Sequence, residues 1–139
     1  MDNQIVLEWF RYGDNDLAAA EHMLSLYPLQ MEIICYHSHQ AVEKWLKGYI
    51  ISKTGNDPQR THDLIRLCAQ CQSFDCSYDR IMDFCEVLTR YGVQPRYPNE
   101  LYIDEPLMRK ALECARQIKD FAPLKEARTS LESAEQENP

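Results

Sequence analysis

The stretch CYHSHQAVEKWLKGYII, residues Cys35 to Ile51, decides how this chain is read. On a wheel of about 100° per residue, Ile34, Ser38, Ala41, Val42, Trp45 and Tyr49 gather on one side, the expected core face. Gln40, Glu43, Lys44 and Lys47 fall opposite, which predicts an amphipathic helix with a wide buried stripe and a solvated back. Glu43 and Lys47 stand at i,i+4 in the favourable order, worth about 0.3 kcal/mol on an exposed helix. His37 and His39 are two residues apart and point about 200° away from each other on a helix. They cannot hold one metal ion together. Each lies at an edge of the stripe, where an imidazole packs its ring and hydrogen-bonds a neighbouring helix. That structural role is the expectation for both, ahead of catalysis.

The pattern outside this helix is also helical. Residues 4–26 read as a first helix with Val6, Leu7, Phe10, Leu17, Ala20, Met23 and Leu24 near one stripe, weakened at Gly13 and ended by Tyr27-Pro28. The second helix covers 30–53 and closes at TGNDP, residues 54–58. Thr61 is the expected N-cap of a third helix over 62–72, with Asp63 in its first turn. A break at 73–77 precedes a fourth helix over 78–90, carrying Ile81, Met82, Cys85 and Leu88. An irregular segment, Tyr91 to Glu105, leads to a last helix from about Pro106 to about Ala122 with Leu107, Ala111, Cys114, Ala115 and Ile118 as its stripe. No segment alternates as a strand would. The reading is all-α: an antiparallel up-and-down bundle of four to five helices, one domain over residues 1–127, and a polar, unordered tail over 128–139.

A chain of 139 residues supports one good core. A net charge of −7 opposes broad electrostatic binding to nucleic acid, though a local basic pocket stays compatible with it. No apolar run reaches the roughly 18 residues of a membrane span, and the start MDNQIVLEWFRYG lacks the pattern of a signal peptide. No membrane partner and a cytoplasmic location are therefore expected. Six cysteines are present, at 35, 68, 71, 76, 85 and 114, and a reducing compartment makes a disulfide framework unexpected. CAQC at 68–71 with Cys76 lacks the second knuckle of a zinc site, and Cys68 and Cys71 lie beside Leu64 and Leu67. Buried free thiols are the expectation there, with no metal and no cofactor.

The run CYHSHQAVEKWLKGYI, the HDL at 62–64 and RYGVQPRYP at 90–98, in that order, resemble the HEPN family of small helical domains, over about residues 4–122. The resemblance implies a helical bundle that forms a homodimer. It also implies a possible nucleotidyltransferase partner in a two-component or toxin–antitoxin module. Some members of the family are RNA-cleaving toxins, and others bind nucleotides or act as partners. The nuclease branch carries an arginine followed, after four to six residues, by a histidine. His22, His37, His39 and His62 are the only histidines here, and none has an arginine at that spacing before it. The chain therefore reads as a non-catalytic domain that dimerises and binds a nucleotide or a protein partner. The alternative is a ribonuclease toxin with a displaced active site, with His62 and a distant arginine doing general acid–base work.

Arg90, Tyr91, Arg96, Tyr97 and Tyr102 lie within thirteen residues. Arginine forks suit phosphate and tyrosine rings stack bases, which makes this segment the candidate nucleotide pocket. Lys44 and His62 are expected to complete it, His62 through the free amides of a helix N-terminus. The competing reading has the tyrosines and prolines pinning a crossover to the bundle while the arginines pair with Glu100, Asp104 or Glu105.

Overall fold

A computed structural model of the chain describes residues 2–93 and 102–137, all of them in helices, turns or loops. Six α-helices are formed: α1 (Asn3–His22), α2 (Met31–Thr54), α3 (Leu64–Gln72), α4 (Met82–Leu88), α5 (Glu105–Lys119) and α6 (Ala122–Glu137). The bundle expected from the sequence is present, with more pieces than expected.

Helix α2 is the axis. Its largest interface is with α1, α5 and α3 cover further flanks, and α4 and α6 touch it as well. Trp45, Leu46 and Ile50 pack with Phe10 of α1, Leu67 of α3 and Leu112 of α5 in one continuous core. Gly13 weakens α1 as a helix former, yet α1 and α2 touch there. A Cβ at residue 13 would lie 2.5 Å from Trp45 Nε1 and 2.9 Å from the Ala41 carbonyl oxygen, so only glycine permits this approach. Encirclement also overturns the expected solvated back of α2. Gln40, Glu43 and Lys47 are 9%, 5% and 7% exposed. A helix with neighbours on most sides has nowhere to put a wet face, so its polar residues must find partners inside the protein.

Element boundaries depart from the sequence reading for local reasons. The first helix stops at His22 and tightens into a 3₁₀ turn, Met23–Ser25, instead of continuing to residue 26. Helix α3 begins at Leu64, two residues later than expected, because Asp63 and not Thr61 is the cap. The Asp63 carboxylate accepts from the amides of Ile65 and Arg66. The expected helix over 78–90 is split into a 3₁₀ segment, Cys76–Ile81, then α4, then a 3₁₀ turn, Thr89–Tyr91. Asp75 starts the first piece by accepting from the Ser77 amide and hydroxyl. The tight winding delivers Tyr78 into the core against Tyr49 and Phe121, ring centroids 4.6 and 5.0 Å away. Asp104 caps α5 through the Leu107 amide, with Pro106 in the first turn as expected.

The largest departure is α6, which runs through residues 128–137, where an unordered tail is expected. Leu124 is buried, and Ala127 and Leu131 pack on the core. Arg128 places both bonds of one guanidinium nitrogen on Asp14, at 2.9 and 3.1 Å, and lies 5.1 Å over the Phe10 ring. So narrow a stripe is hard to see in sequence, and one charged anchor supplies the rest.

All six cysteines are free thiols, five of them buried, and Cys76 is exposed. Cys68 donates to the Tyr78 carbonyl at 3.3 Å. Burial pushes the Cys71 thiol up and raises Cys35 to about 12, which makes these thiols inert packing groups. Among the described residues no group of three or more His, Cys, Asp or Glu side chains could hold a metal ion. Among them, too, no helix is long and apolar enough to cross a membrane.

Candidate functional site

The polar side chains of α2 leave it in two directions and build two networks. On the α1 side, Asp16, nine-tenths buried, accepts from both Lys44 Nζ and His37 Nδ1, the latter at 2.8 Å. Next to it Asp14 accepts from Trp45 Nε1 at 3.0 Å and from Arg128. These contacts tie α1, α2 and α6 together.

On the α3 side the centre is Glu43. One oxygen meets His62 Nδ1 at 2.8 Å, and the other accepts from Lys47 Nζ at 3.1 Å. His39, one turn earlier on α2, is fully buried and donates from Nε2 to the His62 backbone carbonyl at 2.9 Å. A carbonyl only accepts, so Nε2 carries the His39 proton. Nδ1 keeps a lone pair with no hydrogen-bond partner, 3.9 Å from Glu43 Oε1. Burial holds the His39 pKa below its ordinary value, against the smaller opposing pull of its bond to His62 and of Glu43. Gly92 closes over this pair: a Cβ there would come within 2.8 Å of His39 Nε2 and 3.2 Å of His62 Cβ. His39 and Glu43 thus grip one residue twice, by its main chain and by its ring.

Two hollows complete the inventory. One of about 140 Å³ is lined by Glu86, Val87, Arg90, Tyr91, Leu107 and Lys110. There Arg90 donates to the Tyr91 hydroxyl at 3.1 Å and lies 5.1 Å from the ring centroid. The other, of about 400 Å³, is mainly apolar and is formed by Ile5, Glu8, Trp9, Tyr12 and Lys44.

The residues expected to form one pocket are therefore distributed. His62 and the RYG turn do meet, through Gly92. Lys44 does not join His62: consecutive residues on a helix diverge by about 100°, so Glu43 faces His62 while Lys44 faces Asp16. Tyr91 is 2% exposed and offers no free face to a base. The α3 N-terminus is not an open anion site either, because Asp63 takes the Ile65 and Arg66 amides and Thr89 Oγ1 takes the Leu64 amide at 3.1 Å. Arg96 and Tyr97 lie outside the described residues. Sequence reasoning missed Glu43, His39 and Lys47 as the partners of His62, and Asp16 as the partner of His37 and Lys44. The signal was there in part: three ionisable residues at i, i+4 and i+8 on one helix, His39, Glu43 and Lys47, form a stripe of their own.

The HEPN domain model matches residues 6–126, nearly the whole described chain. This chain belongs to the HEPN domain family. The HEPN fold is visible in a second comparison: the chain is similar to TT1696 from Thermus thermophilus, whose crystal structure superposes with a TM-score of 0.67 at 22% identity, covering 87% of this chain and 96% of that one. At that identity the likeness concerns the fold alone. No curated protein matches this HEPN chain significantly.

Proposed function

We propose that this protein is a non-catalytic HEPN domain that works by binding, as a homodimer that takes a nucleotide or a protein partner such as a nucleotidyltransferase. The observation that carries this reading is the uncovered shelf on α1. Ile5 and Tyr12 are 52% and 51% exposed beside Trp9, on the flank away from the core stripe of Val6, Phe10 and Leu17. An apolar hollow on an otherwise acidic chain is the kind of surface that another protein covers. In contrast, Asp16, His37, Lys44, Glu43, His39 and Lys47 are occupied with one another. Light scattering at micromolar concentration tests the dimer, with Tyr12→Glu expected to shift the mass toward the monomer. A wild-type monomer would sink that part of the reading. For the nucleotide, Arg90 with Lys110 nearby supports a phosphate end, and Arg96, Tyr97, Lys44 and His62 remain the residues proposed to complete the site. Millimolar ATP or GTP should raise the Tm of the wild type, and Arg90→Ala should cancel the rise.

The second reading, a ribonuclease toxin with a displaced site, is favoured by the Glu43–His62 pair, since a carboxylate-held imidazole is a general base in form. Metal-independent cleavage of structured RNA that disappears in His62→Ala would establish it over the first.

A further inference from the structure

His62 is an exposed histidine on an expensive foundation. Its side chain is 64% exposed, while the Glu43 side chain behind it is 6% and the Lys47 side chain 8% exposed. A carboxylate only accepts, so the 2.8 Å contact places the His62 proton on Nδ1 and leaves the lone pair on Nε2. Among the described residues no hydrogen bond reaches Nε2. The main chain of the same residue is fixed by His39, and Gly92 is the one residue type that fits against both rings. Surface histidines do not need such support. His22, exposed on α1, makes no side-chain hydrogen bond among the described residues.

From this geometry we infer that His62 is a phosphoryl-acceptor site. The Nε2 lone pair forms a bond to the terminal phosphorus of a donor such as a nucleoside triphosphate. The P–O bond to the leaving group breaks, and the nucleoside diphosphate departs with that electron pair. The ring, now substituted at Nε2 and still protonated at Nδ1, carries a positive charge that the Glu43 carboxylate faces directly. Glu43 is a positioning residue: it fixes the tautomer and offsets the charge that develops, as a buried carboxylate does for an imidazolium elsewhere. Lys47 holds the second Glu43 oxygen and keeps the carboxylate aimed. The groups that hold His62 all lie behind it, an arrangement suited to a residue that is acted upon. The inference goes beyond the binding reading and does not depend on it, because it concerns the reactivity of one ring.

The test uses the full chain and phosphoramidate, a small donor whose P–N bond breaks as ammonia leaves. Peptides are mapped by mass spectrometry under alkaline handling, which preserves phosphohistidine. His62 is expected to gain the phosphoryl group at least about tenfold faster than His22 in the same molecule. In Glu43→Gln the His62 rate should fall toward that of His22 while the His22 rate stays constant. Equal rates at His22 and His62 in the wild type, preferential labelling of His37, or an unchanged His62 rate in Glu43→Gln would overturn the proposal. Because two histidines are compared within one folded protein, the outcome does not depend on how well a variant folds. A failed ATP thermal shift would count against the nucleotide pocket alone.

Discussion

The Asp16 and Glu43 networks use the same three chemical groups and differ in which of them meets water. In each, one carboxylate is shared by an imidazole and an ammonium. Around Asp16 the carboxylate side chain is 11% exposed, with His37 at 26% and Lys44 at 27%. Around Glu43 the carboxylate and the lysine are almost dry, at 6% and 8%, and the histidine is 64% exposed. The first arrangement spreads modest exposure over its cations and behaves as a staple between α1 and α2. The second concentrates burial on the acid and the lysine and presents the imidazole. Composition does not distinguish a structural network from a chemical one here; the direction each member faces does.

That contrast can be broken most easily with Glu43→Ala. It strands the Lys47 ammonium and the His39 ring in a covered site, and about 3–5 kcal/mol of stability should be lost in urea unfolding. Asp16→Ala should cost less, about 1–3 kcal/mol, because Lys44 and His37 each retain access to water when the acid is gone. Equal costs would show that exposure does not separate the two networks. Acid provides a smaller effect with a definite sign. The folded His39 titrates below its ordinary value of about 6.5, so near and below that pH the unfolded chain binds a proton that the folded one refuses. Stability should fall as pH drops through about 6.5 and should be fully present above it. His39→Gln should flatten this slope in a Tm-against-pH series. Smallest of all, His62→Asn should change stability by less than about 1 kcal/mol, because the ring is mostly in solvent. A larger loss would assign His62 to the structure and sharpen the comparison in the other direction.

How much of this was legible beforehand depended on the range of the physics involved. The core face of α2 was readable because Ile34, Ala41, Val42, Trp45 and Tyr49 recur with helical period, and all are buried. The cap of α5 was legible in part, since Pro106 marks a first turn. Helix α6 was not, because Arg128 is anchored by Asp14, 114 residues away, and no local pattern encodes such a partner. The pairing of His62 was hidden for the same reason: Glu43 lies 19 residues earlier and reads as an ordinary i,i+4 partner of Lys47.

By itself, the sequence determined the helical class, the membership in the HEPN family, the central helix and the free buried thiols, since period, punctuation and residue chemistry are local properties. The tertiary structure decided that α2 has no solvated back, that Lys44 and His62 serve different networks, and which imidazole faces water. Those outcomes depend on what packs around each side chain. A buried charge must find its partner wherever the fold puts one, and that is set in space rather than along the chain.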